Sequence, residues 1–166
     1  MVRSIGRVGA VVALAAVAML GGTGTAAAAP PTTFTDTFTD TETFTDVVPC
    51  REDLGAYDVT ITARGVFHVT AAGFDEEDNP IPPYHFTGTI TGTFVAVPSD
   101  GTGPTFSGRF TQRFAGETEM ITHSTGTITF ILHGTGSDGS RISFHAVSHY
   151  QISATGVEFG FEKASC

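Results

Sequence analysis

The chain of 166 residues is 40% hydrophobic and only 15% charged, with 20 Gly, 14 Phe, no Trp and a formal net charge of −9. This composition excludes a disordered polyelectrolyte, and at one domain's length it predicts a single packed core. The acidity argues against nucleic acid or an anionic lipid surface as a partner.

Arg3 and Arg7 precede an apolar run, Val8 to Leu20, that leads into Gly and Ala. The pattern reads as a secretory signal peptide over residues 1–28, with a small-x-small cleavage motif at Ala26-Ala27-Ala28. The run is too short for a comfortable membrane span, and no later stretch approaches that length. Pro30 favours cleavage after Ala28, since a proline just past the scissile bond obstructs a peptidase. Of the 8 basic residues, the six outside this segment face 17 acidic ones. The expected location is extracellular.

In an exported chain two cysteines read as a disulfide, and Cys50 and Cys166 stand near the start of the folded region and at the last residue. An intramolecular bridge is the simplest reading, and closing so long a loop adds about 4 kcal/mol in the chain-entropy account. The alternative is intermolecular pairing. No CxxC spacing suggests redox or metal chemistry.

Residues 29–49 form a Thr-, Phe- and Asp-rich segment, with Phe34, Phe38 and Phe44 at even positions. Period-2 placement permits a strand ending near Val48, and the low complexity equally permits a flexible tail. Residues 50–166 then read as one β domain. Tyr57 to Ala63 alternates, Arg64-Gly65 is expected to turn the chain into Val66 to Ala72, and an acidic loop, Asp75 to Pro80, follows. His85 to Val97 sets Phe86, Ile90 and Phe94 against a row of Thr, and Phe106, Phe110 and Phe114 share the next face. Glu117 to Glu119 is expected as a connection. Ile128, Phe130 and Leu132 share parity on the next strand, then Ile142, Phe144, Ala146 and Tyr150, and finally Val157, Phe159 and Phe161.

Around Ser137-Asp138-Gly139 the register can be argued from burial. A two-residue turn pairs residues summing to 277 and mixes Leu132 with His145 on one face. A three-residue loop with left-handed Gly139 pairs residues summing to 276, which separates the apolar set from Thr127, Thr129, His133, Ser143, His145 and His149, with Ile131, Val147 and Ser148 as exceptions. The bulged loop is expected.

Seven to eight antiparallel strands, each with a Phe-rich and a Thr-rich face, predict an all-β meander closed into a small up-and-down barrel; the alternative is a two-sheet β-sandwich. Gly88, Gly92 and Gly108 share parity with Phe86, Phe94, Phe106 and Phe110, so glycine is expected either to offset the bulky rings inside or to allow tight coiling. Gly65 to Thr70, Asp100 to Pro104, Gly108-Arg109-Phe110, Gly134 to Ser140, Phe144-His145 with His149, and Phe161-Glu162-Lys163 with Cys166 resemble a group of uncharacterised secreted actinobacterial proteins, from about Cys50 onward. In architecture the expected barrel is similar to lipocalin-type and allene oxide cyclase or dirigent-type barrels. That resemblance implies no catalytic or binding residue here.

The expected interior is lined by Phe86, Ile90, Phe94, Phe106, Phe110, Phe130, Phe144, Tyr150 and Phe159, a candidate site for a small apolar molecule. His133, His145 and His149 share a face and are the polar candidates. Two or three imidazoles suit a metal or acid–base work, but extended-chain spacing keeps His145 and His149 about 13 Å apart, and no metal or other cofactor is expected. Asp75 to Asp78 lacks EF-hand spacing, Glu117 and Glu119 read as solvated rather than catalytic, and no helix follows Ser137 to make a nucleophile elbow. Arg109 and Arg113 read as an outward basic spot, with the acidic loop as a candidate partner. Function classes rank as a secreted small-ligand binder, then a structural or interaction protein of the cell exterior with a filled core, then a cofactor-free isomerase or cyclase.

Overall fold

A computed structural model describes residues 31–120, 123–153 and 156–166, with side chains for all of these but Met120 and residues 157–162. The signal segment expected over residues 1–28 lies outside the described residues. Seven strands, β1 (Thr32–Val47), β2 (Ala56–Ala71), β3 (Tyr84–Pro98), β4 (Phe106–Met120), β5 (His123–Gly136), β6 (Arg141–Ser153) and β7 (Gly156–Ser165), form one sheet. They pair in sequence order, each antiparallel to the next. Among the described residues there is no α-helix, only a single 3-10 turn at Glu52–Leu54. Strict alternation of β-branched or aromatic with polar residues explains this, because it satisfies a pleated strand and no helical face.

Two expectations are corrected. Arg64-Gly65 does not turn the chain: β2 runs unbroken, with Arg64 opposite Thr39 and Thr91 and Gly65 opposite Phe38 and Ile90. Gly65 is extended there, and the Phe38 ring packs where its side chain would stand. Glu117 and Glu119 are strand residues of β4, with Glu117 between His85 and Thr125. Of the two readings left open for the amino-terminal Thr-rich segment, the strand is the one found: it forms β1 and pairs along its whole length with β2.

The register argument for β5 and β6 agrees with the structure: Leu132 faces Phe144, Phe130 faces Ala146 and His133 faces Ser143. Gly139 sits at φ 83° and its N–H reaches the carbonyl of Gly136 at 2.9 Å, as the three-residue loop requires. A register fixed by one buried face leaves no freedom to slip.

All strands lie in a single sheet, and it is not closed by hydrogen bonds: β1 and β7 each have one neighbour. Merging the two strands expected between Tyr57 and Ala72 leaves an odd number, so β1 and β7 point the same way and an antiparallel seam is unavailable. The sheet nevertheless bends strongly. Laid flat, β1 and β7 would stand about 29 Å apart, yet Cys50, just past β1, and Cys166, just past β7, form a disulfide with Cα atoms 5.6 Å apart. The β1–β2 connection folds over this end. Val48 is buried, and the Arg51 guanidinium lies 5.9 Å over the Phe106 ring while bonding to Asp53 at 3.2 Å. The core beneath it contains Tyr57, Phe94, Phe106, Ile142 and Phe144.

Candidate functional site

Even positions of β1 and β3 to β6, with odd positions of β2, make the concave row that carries the core. Rings and glycines interlock along it. Phe114 covers Gly88, Phe110 covers Gly92, Phe94 covers Gly108, Phe86 covers Gly116 and Tyr150 covers Gly126, each ring lying over the glycine directly opposite on the neighbouring strand. The glycines therefore make room for the rings, as their parity suggests.

In the half of the sheet nearer the disulfide this row leaves a cavity of about 60 Å³. Its walls come from five successive strands: Phe44 and Asp46 of β1, Val59 and Ile61 of β2, Phe94 and Ala96 of β3, Phe110 and Gln112 of β4, and Phe130 and Leu132 of β5, with Val47, Val48 and Pro49 at one side. Phe110 and Phe130 stack with centroids 5.9 Å apart. At about 10–15 Å³ for each water-sized occupant, the space suits about four to six non-hydrogen atoms.

Of the expected interior residues, Phe94, Phe110 and Phe130 line this cavity. Ile90, Phe106 and Phe144 are buried in the surrounding packing instead. Phe86 packs with Tyr84 and Phe114 toward the other end of the sheet, with centroids 6.4 Å apart in each pair. Tyr150 also lies outside the cavity, and burial pushes its phenol up to about 12. The side chain of Phe159 lies outside the described residues; its backbone pairs with Tyr150.

The polar candidates do not meet the cavity. His133, His145 and His149 stand on the convex face, all three exposed, where His133 Nδ1 is 3.2 Å from Ser143 Oγ and His149 Nδ1 is 2.8 Å from Thr127 Oγ1. Among the described residues no group of three or more His, Cys, Asp or Glu is arranged to hold a metal ion. The acidic loop turns its donors and acceptors on itself: Asp75 accepts from the N–H groups of Glu77 and Asn79, which holds its carboxyl below the usual range. Ser137 ties two turns together, its Oγ accepting from the Thr105 N–H at 3.1 Å. Among the described residues Arg51 pairs with Asp53 and His85 Nδ1 lies 3.6 Å from Glu117 Oε2, whereas Arg109 and Arg113 do not pair with the acidic loop.

Sequence reading missed Asp46 and Gln112, the polar side chains of the cavity wall. Asp46 Oδ1 accepts the Val47 N–H at 2.8 Å, whereas its Oδ2 is buried with no hydrogen-bond partner among the described residues. The available signal was parity: Asp36, Asp40, Glu42 and Asp46 share the even register of Phe34, Phe38 and Phe44 and so stand on the concave row. No protein-family model, curated protein or solved structure matches this chain.

Proposed function

We propose that this chain is an exported binding protein that holds a small, mainly apolar ligand group inside a barrel-like curl of its sheet. The observation that carries this reading is the Phe-walled cavity, which keeps space for several carbon atoms in a region otherwise filled by interlocked rings and glycines. Export is supported by the apolar amino-terminal run behind Arg3 and Arg7, and by the Cys50–Cys166 disulfide, which suits an oxidising compartment. No helix among the described residues is long and apolar enough to cross a membrane. The resemblance to secreted actinobacterial proteins agrees with export.

An interaction role on the cell exterior is the second reading, favoured by the convex face. There Thr hydroxyls pair across strands, Thr33 with Thr70 at 3.0 Å and Thr43 with Thr60 at 2.9 Å, beside exposed Val95, Val97 and Ile131. An isomerase or cyclase ranks third, because among the described residues Asp46 is the only ionisable side chain in the cavity wall and offers no acid–base couple.

Titrating methyl-labelled protein with n-pentane, followed by NMR, separates the first reading from the second. A ligand cavity gives saturable shifts concentrated on the methyls of Val48, Val59, Ile61 and Leu132. Shifts absent there, or spread evenly over Val95, Val97 and Ile131, overturn the binding reading.

A further inference from the structure

We infer that the cavity selects a small alkylammonium, a primary or secondary amine in its charged form carrying a short apolar body, with Asp46 as its counter-ion; this rests on the binding-protein reading above. Three features of the wall converge on that chemistry.

The first is the orphan acceptor. A buried carboxylate oxygen without a donor is costly, and native proteins satisfy such groups. Val47 N–H already occupies Oδ1, so the unmet demand is at Oδ2, on a residue of the cavity wall. An ammonium N–H meets it with a charge-assisted bond once the carboxylate, whose Oδ2 has almost no accessible surface as it stands, turns toward the cavity.

The second is the rings. Phe44, Phe94, Phe110 and Phe130 surround the same space. Aromatic faces carry negative quadrupole potential and attract a desolvated organic cation, while the methylene groups of its body pack against the same rings.

The third is the distribution of charge across the sheet. Asp36 and Asp40, both exposed, and Glu42 lie on the concave row of β1 with Asp46, and among the described residues of the strands no Lys or Arg side chain accompanies them. The basic residues of the strands, Arg64, Arg109, Arg113, Arg141 and Lys163, all fall on the convex row, opposite such partners as Thr91, Thr93, Thr89, Thr135 and Val147. Arg51, in the folded-over connection, is held by Asp53. A concave face carrying one sign of charge raises the local concentration of the opposite ion. An anionic or carboxylate ligand would meet repulsion at Asp46 in the wall, and a plain hydrocarbon would leave Oδ2 unsatisfied.

Three probes of equal size test the inference: butylammonium, 1-butanol and n-pentane, each with five non-hydrogen atoms and so matched to the cavity. Binding to the disulfide-bonded protein is read from the methyl shifts of Val59, Ile61 and Leu132. Butylammonium is expected to bind about tenfold or more tightly than n-pentane, with 1-butanol between them, since a hydrogen bond to a charged group is worth that ratio. In Asp46→Asn, whose side-chain oxygen can still accept the Val47 N–H, the preference for butylammonium should vanish while n-pentane binding persists. If n-pentane equals or exceeds butylammonium in the wild type, the ammonium inference fails and the apolar-cavity reading stands. An unchanged preference in Asp46→Asn also overturns it. Failure of all three probes removes both readings.

Discussion

At the scale of single residues, Tyr57 and Tyr150, two of the three tyrosines on the concave row, show what burial does to a polar tip. Tyr57 is fully buried, its hydroxyl has no partner among the described residues, and burial raises its phenol pKa. Tyr150 is half-buried over Gly126, and its phenol is pushed up from 10.0 to about 12, first by burial and then by the nearby Tyr84. The folded state thus keeps the Tyr150 proton at a pH where the unfolded chain has released it. Between about pH 10 and 12 the folded form binds more protons, so stability falls as pH rises through that window and is unaffected by Tyr150 below it. Melting temperature followed against pH should therefore drop above pH 10, and Tyr150→Phe should make that slope shallower without flattening it, because Tyr57 contributes in the same direction. An identical slope in the variant would show that the phenol is solvated.

At the scale of elements, ring-over-glycine pairing couples neighbouring strands. Gly88 on β3 faces Phe114 on β4, and a Cβ at Gly88 would overlap the ring, which Phe86 backs with its centroid 6.4 Å away. Gly88→Ala should cost about 1–3 kcal/mol, as overpacking in a filled interior does. Phe114→Leu made in that background should recover part of the loss, so the two changes sum to more than the double variant shows; strict additivity in urea denaturation would mean that ring and glycine do not share the space. This pairing also shows which parts of the fold could be read beforehand. The β5–β6 register was legible because Ile128, Phe130 and Leu132 had to be parted from His133 and Thr129, a constraint local to one hairpin. Arg64-Gly65 misled because Gly is a turn signal until a ring from another strand is known to lie over it, and that ring, Phe38, belongs to a segment whose low complexity left strand and tail equally open. Asp46 was illegible for a related reason. Its parity with Phe44 was visible, but its burial depends on how far the sheet bends, which no single strand specifies.

At the scale of the molecule, the bend is held covalently where hydrogen bonds do not close it. β1 and β7 run in the same direction and do not pair, while Cys50 and Cys166 bind the ends of both, and Cys50 Sγ also lies 3.6 Å from the Ser143 carbonyl of β6. The bridge spans 116 residues of sequence, so in the chain-entropy account it stabilises by about 4 kcal/mol through the unfolded state alone. A second, native-state effect follows from position. Val48 and Pro49, immediately before Cys50, form one side of the cavity, and Val48 is 2% exposed. Releasing the sulfur frees the segment that holds that wall against β3 to β5. Replacing both cysteines by serine should therefore lower stability by about 4 kcal/mol in urea and also weaken n-pentane binding in conditions where the protein remains folded. Loss of stability with unchanged n-pentane affinity would confine the bridge's influence to the unfolded chain and show that packing of Val48 alone keeps the cavity closed.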